Sequence, residues 1–140
     1  MVGQPVVATS YAGAKGRAAH GRYINIPNQC LISENFASLS PYACKLLLDF
    51  AAKFTGFNNG DLNMVWPEME QRGWKSKTTL YKYRDELIAR GWLIQTRQGW
   101  NNRCSLYAIS FLPIGDCGLK LDVRPTVQAP NDWKKWSPEN

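Results

Sequence analysis

The side chains that could do chemistry are mostly cationic, and they are concentrated within residues 72–103. Eight basic residues of this segment face only two acids, Asp85 and Glu86, so its surplus equals the formal net charge of +6 of the whole chain. Lysine and arginine contact phosphate groups by charge and hydrogen bonding. The pattern predicts a surface for a polyanion, with an ordinary solvated face as the alternative. The basic residues are Arg72, Lys75, Lys77, Lys82, Arg84, Arg90, Arg97 and Arg103.

The sequence contains few residues of the types that catalysis and metal binding require. His20 is the single histidine, so a transition-metal site lacks ligands and a Ser-His-Asp arrangement lacks a scaffold. The cysteines Cys30, Cys44, Cys104 and Cys117 form no C-x-x-C pair, and in a reducing compartment they are expected to be buried apolar residues. We therefore expect no enzyme activity and no metal, nucleotide or other cofactor.

Length and composition predict one domain with two appendages. A chain of 140 residues with 44% hydrophobic content suits one sizeable core. Residues 1–22 are basic and aperiodic, which predicts a flexible N-terminal arm that either follows a DNA groove or is simply solvated. Residues 23–112 form the expected domain, and the proline-containing residues 113–140 an extended segment docked on it. No run of 18 apolar residues or secretory signal is found, which predicts a cytoplasmic protein without a membrane partner.

Three helices are predicted in the middle of the chain. Ser40 suits the N-cap of the first helix, with Pro41 at its first position. A second, short helix runs through WPEMEQR and ends at Gly73, and the third runs from the N-cap Ser76 to Gly91. In the first helix the expected core residues are Ala43, Leu46, Leu47, Phe50 and Phe54, and Lys45, Asp49 and Lys53 are expected on a solvated stripe.

The third helix is predicted to have a polar, partly cationic outer face. Leu80, Tyr83, Leu87 and Ile88 share one side of a helical wheel and are expected to face the core. The opposite side holds Thr78, Lys82, Asp85 and Ala89, flanked by Lys77 and Tyr81.

Short strands complete the predicted architecture. Residues 61–65 have the pattern of a brief strand, and WLIQTRQ and NRCSLYAISF have that of a hairpin whose turn is GWNN. Helix, short strand, helix, tight turn, helix and hairpin is the order of a winged helix-turn-helix. The predicted fold class is therefore α+β, with a three-helix core and a C-terminal β-hairpin wing.

These residues also resemble a known family. SLSPYACKLLLDFAAKFTGFNNGDL, RGWKSKTTLYKYRDELIARGWLIQTRQG and SLYAISFLP are similar to winged helix-turn-helix DNA-binding proteins of bacterial plasmids, phages and integrated mobile elements, over about residues 32–114. S-K-x-T-L before E-L-x-x-x-G-W is the most diagnostic string. The resemblance implies a third helix in the major groove, a wing along the backbone, and DNA-facing Ser76, Lys77, Thr78, Tyr81 and Lys82. The acidic pair Asp85-Glu86 and the bulky Trp100 at the wing tip depart from the family pattern.

The predicted function is sequence-specific binding of double-stranded DNA, as a transcriptional regulator or an accessory replication factor of a mobile element. A symmetric dimer reading two half-sites is the expected assembly. Lysines and arginines of the basic segment suit phosphates, whereas side chains in the first turns of the third helix suit base edges. The candidate DNA-binding residues are Lys75, Ser76, Lys77, Thr78, Tyr81, Lys82, Arg84, Arg97, Trp100, Asn101, Asn102 and Arg103.

The six tryptophans leave an alternative function open. Trp66, Trp74 and Trp92 flank helix ends and are expected in the core, whereas Trp100 lies in the wing turn. Trp133 and Trp136 predict a tail that docks either on its own core or on a second subunit. The alternative is a winged-helix protein-interaction module of a phage or plasmid, which acts on a larger host or nucleoprotein complex through Trp100, Trp133 and Trp136.

Overall fold

The computed structural model describes residues 21–139 and has helical and β-strand elements in an α+β arrangement. All but the last two residues of the predicted N-terminal arm lie outside the described residues, as does His20. The helices are α1 (Asn28–Leu31), α2 (Glu34–Ala37), α3 (Pro41–Ala51), α4 (Trp66–Gln71) and α5 (Lys77–Ala89), the strands are β1 (Leu93–Arg97) and β2 (Leu106–Ile109), and two 3-10 helices follow at Cys117–Leu119 and Asp132–Lys135.

Helix α3 begins as its sequence predicts. The Ser40 hydroxyl accepts a hydrogen bond from the Ala43 backbone N–H at 3.3 Å, and Pro41 occupies the first turn. Glu86 of α5 adds a second cap, because its carboxylate accepts from the Ser40 N–H at 2.9 Å and from the Ser40 hydroxyl at 2.8 Å. This contact fixes the start of α3 against the C-terminal half of α5.

Helix α5 has the orientation predicted for the third helix. Ser76 caps it by accepting from the Thr79 N–H at 3.2 Å, and Gly91, with φ of 82°, ends its last turn. Leu80 and Leu87 are fully buried against α3 and the sheet. The remaining predicted core residues, Tyr83 and Ile88, are half-buried and pack on the core, whereas Thr78, Lys82, Asp85 and Ala89 are exposed.

The sheet is smaller than the sequence predicts. Strands β1 and β2 pair antiparallel, but the strand expected at residues 61–65 is reduced to an isolated bridge between Leu62 and Tyr107. A bulge at Thr96 interrupts the β1–β2 register. The Thr96 hydroxyl is turned away and donates to the Gly60 carbonyl at 2.6 Å. The bulge thus attaches the hairpin to the loop between α3 and α4.

Trp92 is the centre of the core and has no exposed surface. Its ring meets Phe36 edge-on at 5.8 Å and stacks parallel on Trp133 with centroids 5.3 Å apart. The indole N–H donates to the Asn35 side-chain oxygen at 2.9 Å. Trp74 is also buried and Trp66 is half-buried on the core, so all three tryptophans expected in the core are found there.

The C-terminal residues 132–136 lie against the connection between α5 and β1. The Asn35 amide donates to the carbonyls of Arg90 and Trp133 at 2.8 and 2.9 Å, which ties the two chain segments together. The Arg90 guanidinium lies 4.3 Å from the Trp136 ring. A Cβ atom at Gly91 would come within 2.4 Å of the Asp132 carbonyl oxygen, so only glycine allows this approach. Both tail tryptophans therefore contact their own domain.

Asp49 corrects the prediction for helix α3. It was expected on a solvated stripe, but it is only 3% exposed. Its carboxylate accepts from the Trp74 indole N–H and Arg72 Nε, both at 2.8 Å, and from Lys45 Nζ at 2.9 Å. The prediction was wrong because the chain returns to α3 after α4 and covers this side of the helix with Arg72 and Trp74.

The Asp49 cluster predicts a pH-dependent stability. Burial raises the pKa of Asp49, but the hydrogen bonds from Trp74, Lys45 and Arg72 together outweigh it and leave the pKa below its usual value. The resulting stabilisation is complete above the unfolded-state pKa of about 3.9 and is lost as the pH falls through the folded-state pKa. We expect Asp49→Asn to lower the free energy of unfolding by about 1–3 kcal/mol at neutral pH.

Urea denaturation of both proteins from neutral pH to about pH 3 tests this, since the difference between them should shrink once the pH passes below the usual carboxyl range. The exposed Asp85 provides a control, because Asp85→Asn should leave a small difference throughout. A wild-type advantage over Asp49→Asn that is the same at every pH would contradict the assignment.

Candidate nucleic-acid interface

The outer face of α5 and the residues that lead into it are open to solvent. Lys75, Lys77, Thr78 and Lys82 are exposed, and Tyr81 retains 43% of its surface. Residues four apart lie above one another on a helix, so two adjacent rows carry these side chains towards the solvent. The predicted Ser76 is half-buried, and its hydroxyl caps the helix.

Arg84 is held beside Tyr81 by contacts within the protein. Its guanidinium carbon lies 4.8 Å from the Tyr81 ring centroid, and both Nε and Nη2 lie 2.9 Å from the Asp85 carboxylate. Burial lowers the pKa of Arg84, but its contacts with Tyr107 and Asp85 prevail and raise the pKa above its usual value. The cation therefore packs against the Tyr81 ring.

Asp85 and Glu86 both have partners within the protein. Asp85 pairs with Arg84, and Glu86 is turned towards the Ser40 cap of α3. The exposed Lys75, Lys77 and Lys82 present positive charge to the solvent.

A tight turn forms the tip of the hairpin. The N–H of Trp100 donates to the Arg103 carbonyl at 2.9 Å, and the N–H of Arg103 donates back at 3.0 Å. Asn101 and Asn102 between them have φ of 51° and 62°, the left-handed values of a type I′ turn, for which asparagine is well suited. The side chains of Trp100, Asn101, Asn102 and Arg103 are all exposed.

The two arginines predicted on the wing have different surroundings. Arg103 is exposed at the tip, whereas Arg97 is half-buried in the stem. Arg97 Nη2 donates to the Cys104 carbonyl at 2.8 Å, which ties it across the hairpin. Of the two arginines, Arg103 is therefore the one whose side chain is open to solvent.

A cleft of about 190 Å³ lies between α5 and the hairpin. Tyr81 and Arg84 line one side and Cys104 and Ser105 the other, with Trp66 among the remaining lining residues. The structure thus brings α5 residues together with the stem of the β1–β2 hairpin.

The expectation that all cysteines are buried is wrong. All four thiols are free, and Cys30 is buried, but Cys44 and Cys117 are half-buried and Cys104 is exposed. Cys104 lies in the hairpin between the exposed turn and β2, where it lines the solvent-open cleft. Sequence spacing alone does not reveal this.

Sequence reasoning also missed the contact between the C-terminal segment and the hairpin. The Asp122 N–H donates to the Thr96 carbonyl at 2.7 Å, and its carboxylate accepts from the Gln98 N–H at 3.4 Å. Asp122 lies in an aperiodic segment distant in sequence from the hairpin, where no local pattern marks it.

Other kinds of site are not found in the described part of the chain. Residues 21–139 contain no group of three His, Cys, Asp or Glu side chains placed to hold a metal ion. Within the same range, no helix combines the length and the apolar character that membrane crossing requires. Comparisons of the chain with protein-family models, with curated proteins and with solved structures give no match.

Proposed function

We propose that this chain binds double-stranded DNA sequence-specifically, with α5 in the major groove and the β1–β2 hairpin on the backbone. The observation that carries the proposal is the exposed face of α5. Lysines, Thr78 and Tyr81 are open to solvent there, while Asp85 and Glu86 are paired with other groups. An α-helix fits the width of the major groove, and cations on its flanks suit the phosphates that border it.

The proposed architecture is a winged helix-turn-helix. Helices α3, α4 and α5 supply the three-helix core, with a tight turn at residues 72–76 between the last two. The Leu62 bridge pairs with β2 and takes the place of the first strand, and the hairpin follows α5 directly. These connections agree with the order on which the sequence resemblance depends.

The cellular role we propose is that of a transcriptional regulator or an accessory replication factor of a mobile element, as a dimer on two half-sites. This role follows from the resemblance of residues 32–114. Selecting the fragments that the protein binds from random duplexes tests whether binding is sequence-specific. We expect one enriched motif, with a palindrome if the protein binds as a dimer.

The affinity for selected and random duplexes should also be measured at several salt concentrations. A specific binder keeps its preference for the enriched duplex as salt rises, because base contacts are less sensitive to counterions than phosphate contacts. Binding that shows no enriched sequence and disappears on all duplexes together would contradict the proposal.

Mutations should distinguish the residues that contact base edges, the readers, from those that contact phosphates, the anchors. We expect Tyr81→Ala and Lys82→Ala to narrow the gap between cognate and scrambled duplex, by about 1–3 kcal/mol for a good base contact. Arg103→Ala should instead weaken binding to both duplexes alike and reduce the salt slope by about one unit. Titration of each variant at several salt concentrations measures both quantities.

Arg124 offers a matched control for Arg103, because it is an exposed arginine outside the basic segment. Arg124→Ala should leave the affinity and the slope close to wild type. If Arg103→Ala altered sequence preference while Tyr81→Ala and Lys82→Ala lowered affinity uniformly, the reader and anchor assignments would be reversed.

A protein-interaction module is the second candidate function. Ile32 is 80% exposed and Leu48 is 56% exposed, and the latter lines an apolar groove with Leu31 and Cys44. Large exposed apolar side chains are typical of protein contacts. Trp133 and Trp136 no longer support this candidate, because both contact the domain itself. Wild-type protein that selects no duplex would favour this function.

A further inference from the structure

We propose that Trp100 is a wedge that inserts its indole between two base pairs of the bound duplex, at the minor groove next to the one that α5 occupies. This inference rests on the proposed function and adds a second mode of recognition to it. The residues that carry it are the hairpin tip, 98–103, and the groups that brace the hairpin from behind.

The exposure of Trp100 is the first observation. All six tryptophans lie within the described residues, and only Trp100 is exposed, at 69%. The other five are buried or half-buried. An indole left in water forgoes the large stabilisation that aromatic burial provides, so a surface that covers it gains binding energy.

Several hydrogen bonds order the hairpin tip, which is the second observation. The two backbone hydrogen bonds between Trp100 and Arg103 close the turn. Gly99 donates to the Ser105 hydroxyl at 2.8 Å, and a Cβ atom on Gly99 would lie 2.7 Å from the Ser105 nitrogen. Asp122 braces the stem from the C-terminal segment. A preordered tip loses little conformational entropy on binding, so the stacking energy of the indole is retained.

The neighbours of Trp100 identify the class of partner. Trp100 is the one apolar residue among the exposed side chains of 98–103, and the others are Gln98, Asn101, Asn102 and Arg103. The centre of a protein interface is rich in apolar and aromatic contacts. An isolated indole among amides and a cation suits DNA, where the ring stacks on a base while its neighbours reach groove edges and phosphates.

Insertion has a consequence for sequence preference. Apolar wedges at the minor groove unstack a base step and bend the duplex by about 20–90°. Pyrimidine–purine steps deform most easily, so such a step should be favoured at the wedge position although α5 does not contact it. We therefore expect the selected motif to contain a TA or CA step outside the part read by α5.

The experiment uses the full chain and the duplex selected above. Fluorescence energy transfer between labelled duplex ends measures bending, and a single 2-aminopurine placed at successive steps locates the unstacked one. Wild-type protein should bend the duplex and change the 2-aminopurine signal at one step. Trp100→Ala should abolish both effects and weaken binding by about fivefold to a hundredfold, while Trp100→Phe should retain part of each.

Phe57→Ala is the matched control, because it removes an aromatic ring that is 88% exposed but lies outside the basic segment 72–103, and it leaves the indole in place. It should bend the duplex like wild type. Trp100→Ala protein that binds, bends and perturbs the duplex like wild type would overturn the wedge while leaving sequence-specific binding intact. Wild-type protein that selects no duplex would overturn the proposed function itself, so the two failures are distinguishable.

Discussion

Replacing Trp92 with alanine is expected to lower the free energy of unfolding by about 3–5 kcal/mol. The side chain is completely buried, stacks on Trp133, and donates its N–H to the buried Asn35. Alanine leaves a large cavity, removes the stacking partner of the tail and leaves the Asn35 oxygen without its donor. Small domains are stable by only about 5–15 kcal/mol, so this loss is a large part of the total.

Trp100→Ala is the matched control, because the same atoms are removed from an exposed site. We expect its free energy of unfolding to stay within about 0.5 kcal/mol of wild type. Urea denaturation of the three proteins under one buffer measures both differences. Equal losses for the two variants would show that Trp92 is not the centre of the core.

Leu80→Ala and Leu87→Ala are each expected to lower the free energy of unfolding by about 2–5 kcal/mol. Both side chains are buried, and they attach α5 to the core from its inner face. Their loss should reduce Tm without altering which duplex the remaining folded protein prefers, because neither side chain reaches the outer face.

Lys82→Ala on the opposite side of the same helix is the control. It should leave Tm close to wild type and change duplex preference instead. Thermal denaturation followed by circular dichroism, together with the duplex titration, separates the two faces. Unchanged Tm values for both leucine variants would mean that α5 is rotated relative to the structure described above.

The helix boundaries and the inner face of α5 were predictable because their causes are local. A serine hydroxyl that caps its own helix, as at Ser40 and Ser76, depends on residues a few positions away. The burial of Leu80 and Leu87 follows from helical periodicity alone. The turn at Asn101 and Asn102 is likewise set by residues that tolerate positive φ.

The errors share a different origin, since their causes lie far along the chain. Asp49 is buried because Trp74 and Arg72 return to α3 after an intervening helix, and a helical wheel of α3 contains neither. The cap that Glu86 provides to Ser40 was not predicted, because it joins two helices that are far apart in sequence. The expected strand at 61–65 forms a single bridge, and its partner Tyr107 lies far along the chain, beyond two helices and β1.

The candidate site likewise has features that local sequence predicts and features that depend on distant residues. Periodicity places Thr78, Tyr81 and Lys82 on the outer face of α5 and therefore among the exposed residues. It does not distinguish the tied Arg97 from the open Arg103, because that difference depends on a carbonyl across the hairpin. Nor does it place Cys104 beside Tyr81, since the cleft exists only once α5 and the hairpin are packed.

The position of Trp133 determines when the fold can be completed during synthesis. The ring that covers Trp92, and the carbonyl that binds the Asn35 amide, are translated after every long helix and the whole hairpin. A nascent chain that has reached only the hairpin exposes the Trp92 face, which is a surface that chaperones and other unfinished chains can bind. Translational stalling between the hairpin and Trp133 should therefore produce aggregation-prone chains.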